Sequence, residues 1–143
     1  MKRSVLLGAA FLAMVSFTAS PAEAATLKIT PKVWFVETSD MVQHRVELAQ
    51  TFTACASNPV HTIRLKVLVR NAHKGRTIRE VWLLNGVKQA AFTDHWPISG
   101  DFTFSFGLTA NNNFADGVWK LKLVKTGTVL AHSRVTLQTD QGC

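Results

Sequence analysis

Apolar and polar positions alternate with period two over much of this chain. Ile63, Leu65, Val67 and Val69 alternate with Thr62, Arg64, Lys66, Leu68 and Arg70. Successive side chains on a strand point to opposite faces, so this run predicts a half-buried antiparallel strand with a basic outer face. Phe102, Phe104, Phe106 and Leu108 alternate with Thr103, Ser105 and Gly107. Their three Phe rings belong either to a core or to a ligand groove. Trp119, Leu121 and Leu123 alternate with Lys120 and Lys122, with Lys125 flanking. Val129, Ala131, Ser133, Val135 and Leu137 form a last strand, with His132 and Arg134 opposite. Near the start, Leu27 to Ile29 alternates until Pro31 interrupts, which suits an edge strand, and Val33 to Val36 follows.

Turn signals separate these runs. Thr77 to Leu84 ends at Asn85-Gly86, a pair that supplies the two positive-φ residues of a type I′ turn, and Val87 to Phe92 returns. Asn58-Pro59, Pro97 to Gly100 and Thr126-Gly127 mark further turns. Asn71 to Arg76, pivoting on Gly75, and Ala110 to Asp116 read as loops. One stretch admits two readings. After the polar break Thr38-Ser39-Asp40, a helix would pair Val42 with Val46 and Ala49. A strand would put Val42, His44, Val46, Leu48, Gln50, Phe52 and Ala54 on one face, and the β-branched and aromatic content favours it. About seven short strands with little helix predict an all-β, antiparallel immunoglobulin-like β-sandwich, with Trp82 or Trp119 between the sheets.

The ends set the compartment. Lys2 and Arg3, the uncharged run from Val5 to Phe17, and Ala22-Glu23-Ala24 read as a secretory signal peptide, residues 1–24. The run is shorter than the roughly 20 apolar residues of a membrane helix, although a retained signal anchor is the alternative. Residues 25–143 are then expected to form one domain without a membrane span, in a bacterial periplasm or secreted. Cys55 and Cys143 are the two cysteines, and an even count in an oxidising compartment predicts one disulfide, with two free thiols as the alternative. Thr139 to Gly142 is polar and expected to fray, so Cys143 would act as its tether and leave a monomer.

The hairpin from Thr77-Ile78 through Trp82 to Asn85-Gly86 is followed by Gly117-Val118-Trp119 and a Gly turn within Thr126 to Leu130. This order resembles a bacterial periplasmic β-sandwich domain family of unknown function, with a Trp-x-x-Asn-Gly hairpin and a later Gly-x-Trp strand. The likeness covers roughly the second half of the expected mature chain. It implies a periplasmic sandwich and transfers no activity. Members often carry His two residues before the hairpin Trp, where this chain has Glu80.

Charge brings in a candidate surface. Sixteen Lys and Arg against nine Asp and Glu give a formal net charge of +7, which favours anionic partners. Arg64, Lys66 and Arg70 share one outer face, and Lys74, Arg76 and Arg79 extend it through the next loop. Lys120, Lys122 and Arg134 form a second group. If these strands share one sheet, the two groups merge into a patch for an acidic protein or an anionic envelope component. Otherwise they are solvated faces, with Lys guarding edge strands. The cations lack interleaved exposed aromatics, which argues against nucleic acid. The acidic residues form no local pair, and nucleophile-elbow and zinc-protease motifs are missing, so no enzyme and no cofactor are expected. The alternative is a periplasmic copper- or zinc-binding protein using Met41, His44 and His95. Thioether plus imidazole suits copper, and Asp94 would orient His95. Positions 41 and 44 share a face on a helix and oppose each other on a strand.

Overall fold

The alternating runs become strands in a computed structural model that describes residues 26–143. The expected signal peptide lies outside the described residues. Nine strands follow in order: β1 (Lys28–Thr38), β2 (Gln43–Val46), β3 (Thr51–Cys55), β4 (Val60–Ala72), β5 (Thr77–Leu84), β6 (Val87–His95), β7 (Gly100–Thr109), β8 (Gly117–Lys125) and β9 (Thr128–Asp140). They form two sheets, ordered β2-β1-β4-β7 and β3-β9-β8-β5-β6. In immunoglobulin terms, β1, β4 and β7 stand where strands A, B and E stand, and β9, β8, β5 and β6 where G, F, C and C′ stand. The sandwich is the expected class. It has nine strands rather than about seven.

Inward positions follow the alternation. Ile63, Leu65, Val67 and Val69 of β4 are fully buried, as are Leu121 and Leu123 of β8 and Val135 of β9. Trp82 sits on β5, the place of the sandwich Trp in immunoglobulin domains. It meets Trp34 of β1 edge to face, with ring centroids 6.1 Å apart. The Trp34 indole N–H donates across the sheets to Ser133 Oγ at 3.0 Å, so this buried donor is satisfied. Trp96 packs by its edges against Phe102, Phe104 and Phe106. The Phe run of β7 therefore belongs to the core.

Pro31 does not interrupt its strand. β1 passes through it, pairing with β4, while β2 covers β1 only from Trp34 to Glu37. On its other side Pro31 faces no neighbouring strand, and the missing N–H costs no ladder bond. Asn71 and Ala72, expected in a loop, extend β4, with Asn71 in the left-handed region at φ 60°.

The ambiguous stretch resolves as two strands on different sheets. β2 and β3 keep the expected inward set of His44, Val46, Phe52 and Ala54. Between them the chain crosses from one sheet to the other. Ala49 takes φ 63°, and its N–H donates to the Arg134 carbonyl at 3.0 Å. β3 then runs parallel to β9, from Thr51 beside Thr136 to Cys55 beside Asp140. The C-terminal segment is thus not a frayed tail, because Thr139 and Asp140 belong to β9. Just beyond it, Cys143 is bonded to Cys55, with a Cα–Cα distance of 5.4 Å across 88 residues of sequence. Closing a loop of that length stabilises by about 4 kcal/mol in the chain-entropy model. Cys55→Ser with Cys143→Ser is therefore expected to lower Tm by roughly 15 °C in a thermal melt. A melt unchanged to within about 2 °C would contradict a stabilising tether.

Candidate functional site

The two cationic groups do not merge. Arg64, Lys66 and Arg70 lie on β4 in the first sheet, whereas Lys120 and Lys122 on β8, Arg134 on β9 and Arg79 on β5 lie in the second. Each group faces outward from its own sheet, so they occupy opposite sides of the sandwich. Lys74 and Arg76 sit in the loop that links the sheets. The groups also differ in compensation. Arg64 reaches Glu37 at 3.6 Å, and its stem lies over Gly107. Among the described residues, no ion pair involves Arg79, Lys120, Lys122 or Arg134.

The register concentrates the second group. Lys120 stands directly opposite Arg134 on one side and Leu83 on the other. Lys122 stands between His132 and Val81 in the same way, and Arg79 pairs with Val124. Like charges directly opposite each other destabilise a sheet. β8 contains no acidic residue, and Glu80 of β5 and Asp94 of β6 share the inner face with Ile78 and Trp82. The result is a cationic surface with small apolar steps between the charges.

A cup of about 300 Å³ opens on this face, lined by Leu83, Asn85, Val118, Lys120, Lys122 and Arg134. Its wall is fixed by the hairpin turn. Asn85 and Gly86 have φ 49° and 84°, as a type I′ turn requires. The Asn85 backbone N–H donates to the Val118 carbonyl, and Val118 N–H donates to Asn85 Oδ1, both at 2.9 Å. Gly117, at φ 139°, makes room: a Cβ there would lie 2.8 Å from the Asn85 side chain. The Asn-Gly turn and the Gly-x-Trp strand are therefore two halves of one contact.

The interior holds a polar group that local sequence pairing missed. Glu80 is buried, and the Trp82 indole N–H donates to its Oε1 at 2.8 Å. Asp94 lies diagonally across the β5–β6 pair, and its Oδ2 is buried with no hydrogen-bond partner. Burial, and next the hydrogen bond to Asp94, push the Glu80 carboxyl up to about 8, with the Trp82 N–H pulling the other way. A neutral Glu80 has a proton to offer that unpartnered oxygen, which would tie edge strand β6 to β5. Stability from a raised folded-state pKa is complete below the unfolded value and is lost as pH rises through the folded one. Tm is therefore expected to fall as pH rises from about 5 towards about 8.5. Glu80→Gln, which keeps a donor without a charge, should flatten that slope in paired melts. Parallel slopes for the two proteins would contradict the shared proton.

Met41, His44 and His95 are not brought together. Met41 sits in a turn at φ 68°, exposed, rather than on a helix or strand. His44 Nε2 lies 3.2 Å from Thr38 Oγ1, and its ring is 4.9 Å from that of Phe52. Thr38 also donates to Asp40, whose carboxyl is held below its ordinary range first by that bond. His95 ends β6, at the opposite flank from β2. Among the described residues no three His, Cys, Asp or Glu side chains converge as a metal-binding group.

No protein-family model and no curated protein matches the chain. Among solved structures, the chain is similar to the CARDB domain of a Pyrococcus furiosus protein, solved in complex with di-metal ions. The identity is 10%, the TM-score 0.41, and the match covers 80% of this chain and 94% of that one.

Proposed function

We propose that this protein is a non-enzymatic binding module of the bacterial periplasm or exterior, and that it docks an acidic protein or an anionic envelope component on the outer face of β5, β8 and β9. One observation carries the reading: Lys120 stands opposite Arg134 with Lys122 next along β8, and the acidic residue at an outward position of these strands, Asp140, lies at the far end of β9, six residues beyond Arg134. A sheet keeps such repulsion most readily where a partner supplies the missing charge. The Cys55–Cys143 bond supports an oxidising compartment. Among the described residues no helix is long and apolar enough to cross a membrane. The β4 group is a bystander in this reading, since Arg64 already faces Glu37.

Binding to polyglutamate, or to vesicles containing anionic phospholipid, should weaken steeply between about 50 mM and about 300 mM salt, as exposed charges are screened. Lys120→Glu with Lys122→Glu should cost at least about tenfold in affinity. Arg64→Glu with Lys66→Glu should cost much less. Affinity indifferent to salt, or equal loss from both double variants, would overturn the assignment of this face.

A further inference from the structure

The same face ends in a second depression. A cup of about 340 Å³ is lined by Arg76, Thr77, Arg79, Thr93, Lys125 and Thr126, roughly 13 Å along β8 from Lys120. An adjoining cavity of about 20 Å³ has room for about one water-sized group. Arg76, Thr77 and Lys125 line both, and Leu27, Asn71, His73 and Trp96 complete the smaller one. Trp96 is 2% exposed, and its indole Nε1 is buried without a hydrogen-bond partner. Trp34, Trp82 and Trp119 all donate, to Ser133, Glu80 and the Ala115 carbonyl. A buried N–H lacking an acceptor is an exception that asks for one.

The backbone fixes the cations around this donor. Trp96 N–H donates to the Arg76 carbonyl at 3.0 Å, and Gly75 N–H donates back to the Trp96 carbonyl at 2.9 Å. Lys74 N–H donates to Ser99 Oγ at 2.9 Å. Lys125 enters from the end of β8, beside the turn where Thr126 and Gly127 take φ 46° and 82°. Among the described residues no carboxylate lines either cavity, and Asp101 is engaged by the Asn71 backbone N–H at 2.9 Å.

We infer that Arg76, Arg79, Lys125 and the Trp96 indole form an oxyanion site for a phosphate monoester, which anchors the anionic partner of the neighbouring cationic face. The inference rests on the reading of that face as an anion-docking surface. The donor set selects the ligand. Two arginines, a lysine and three threonines line the larger cup, and the indole that lacks an acceptor lines the small cavity that shares Arg76, Thr77 and Lys125 with it. A carboxylate offers two oxygens in one plane. A phosphate monoester offers three, at tetrahedral directions, and takes a guanidinium in bidentate fashion.

The experiment follows the four tryptophan indole N–H resonances of the isotope-labelled mature protein by NMR. Inorganic phosphate is added, with chloride at matched ionic strength as the control. The Trp96 resonance, assigned through Trp96→Phe or by sequential connectivity, should shift saturably with phosphate and stay still with chloride. Arg76→Gln, at an exposed position, and Lys125→Gln, at a half-buried one, should each weaken the response at least about fivefold. Glycerol phosphate and short-chain phosphatidic acid then separate a soluble ester from a lipid headgroup by their relative affinities. A Trp96 resonance unmoved by phosphate, or moved equally by chloride, overturns the site. If it is unmoved while Lys120-dependent polyanion binding persists, the site falls and the docking face stands. If it responds while no polyanion binds at low salt, the site stands and the docking face falls.

Discussion

Two indole rings, Trp34 and Trp82, meet edge to face between the sheets, and the geometry of the molecule depends on that contact. Each ring adds large apolar area, and such a pair contributes about 0.5–1.5 kcal/mol beyond burial alone. Each also brings an N–H that must be satisfied in a dry interior. Trp34 reaches across to Ser133, which holds β1 onto β9. Trp82 reaches along its own strand to Glu80. With both inner faces committed, period two leaves no freedom outside. Arg79, Lys120, Lys122 and Arg134 face outward because Ile78, Leu121 and Val135 cannot. The cationic surface is thus a consequence of the core, and residue choice at the outward positions sets only its sign.

The contact between Asn85 and Gly117 converts that alternation into a shaped surface. A hairpin turn alone would project freely from the sheet. Here its side-chain carbonyl and its backbone both bind the start of β8. The turn becomes a rim beside Leu83, Lys120 and Arg134. At the other end of the same strands, the loop before β5 is bound to the chain after β6, and its cations are fixed in place in the same manner. Both ends of the face are therefore pre-organised, which lowers the ordering that a ligand would have to impose.

Much of the sandwich was legible from period and punctuation. β4, β7, β8 and β9 announced themselves by alternation, and the hairpin of β5 and β6 by the turn chemistry of Asn85-Gly86. The crossing at Glu47 to Gln50 was not legible. One alternating face is compatible with a continuous strand, and nothing local says that β2 and β3 belong to different sheets. Pro31 misled for a related reason: its tolerance depends on where β2 stops. The candidate surface was half legible. Outward cations could be read from each strand, but which strands share a sheet is a question of topology. Placing β4 apart from β8 divided the expected patch. The Glu80–Asp94 pair escaped because its members are neighbours diagonally across a hairpin rather than along the chain.

The parallel rung between β3 and β9 joins segments 85 residues apart, Thr51 with Thr136. Contacts of such separation cannot form until the intervening chain has already been brought close, and the loop-closure entropy is lost before the ladder returns anything. All-β domains dominated by distant pairings reach the native state in about milliseconds to seconds, orders of magnitude more slowly than helical bundles. In this protein the rung has the largest sequence separation among the described strand pairs, and it must close across that whole loop. Until it does, the inner edge of β9, with Val135 and Leu137, lies bare to other chains. An oxidising environment that joins Cys55 to Cys143 early would shorten that search and narrow the interval in which the unfinished sheet can aggregate.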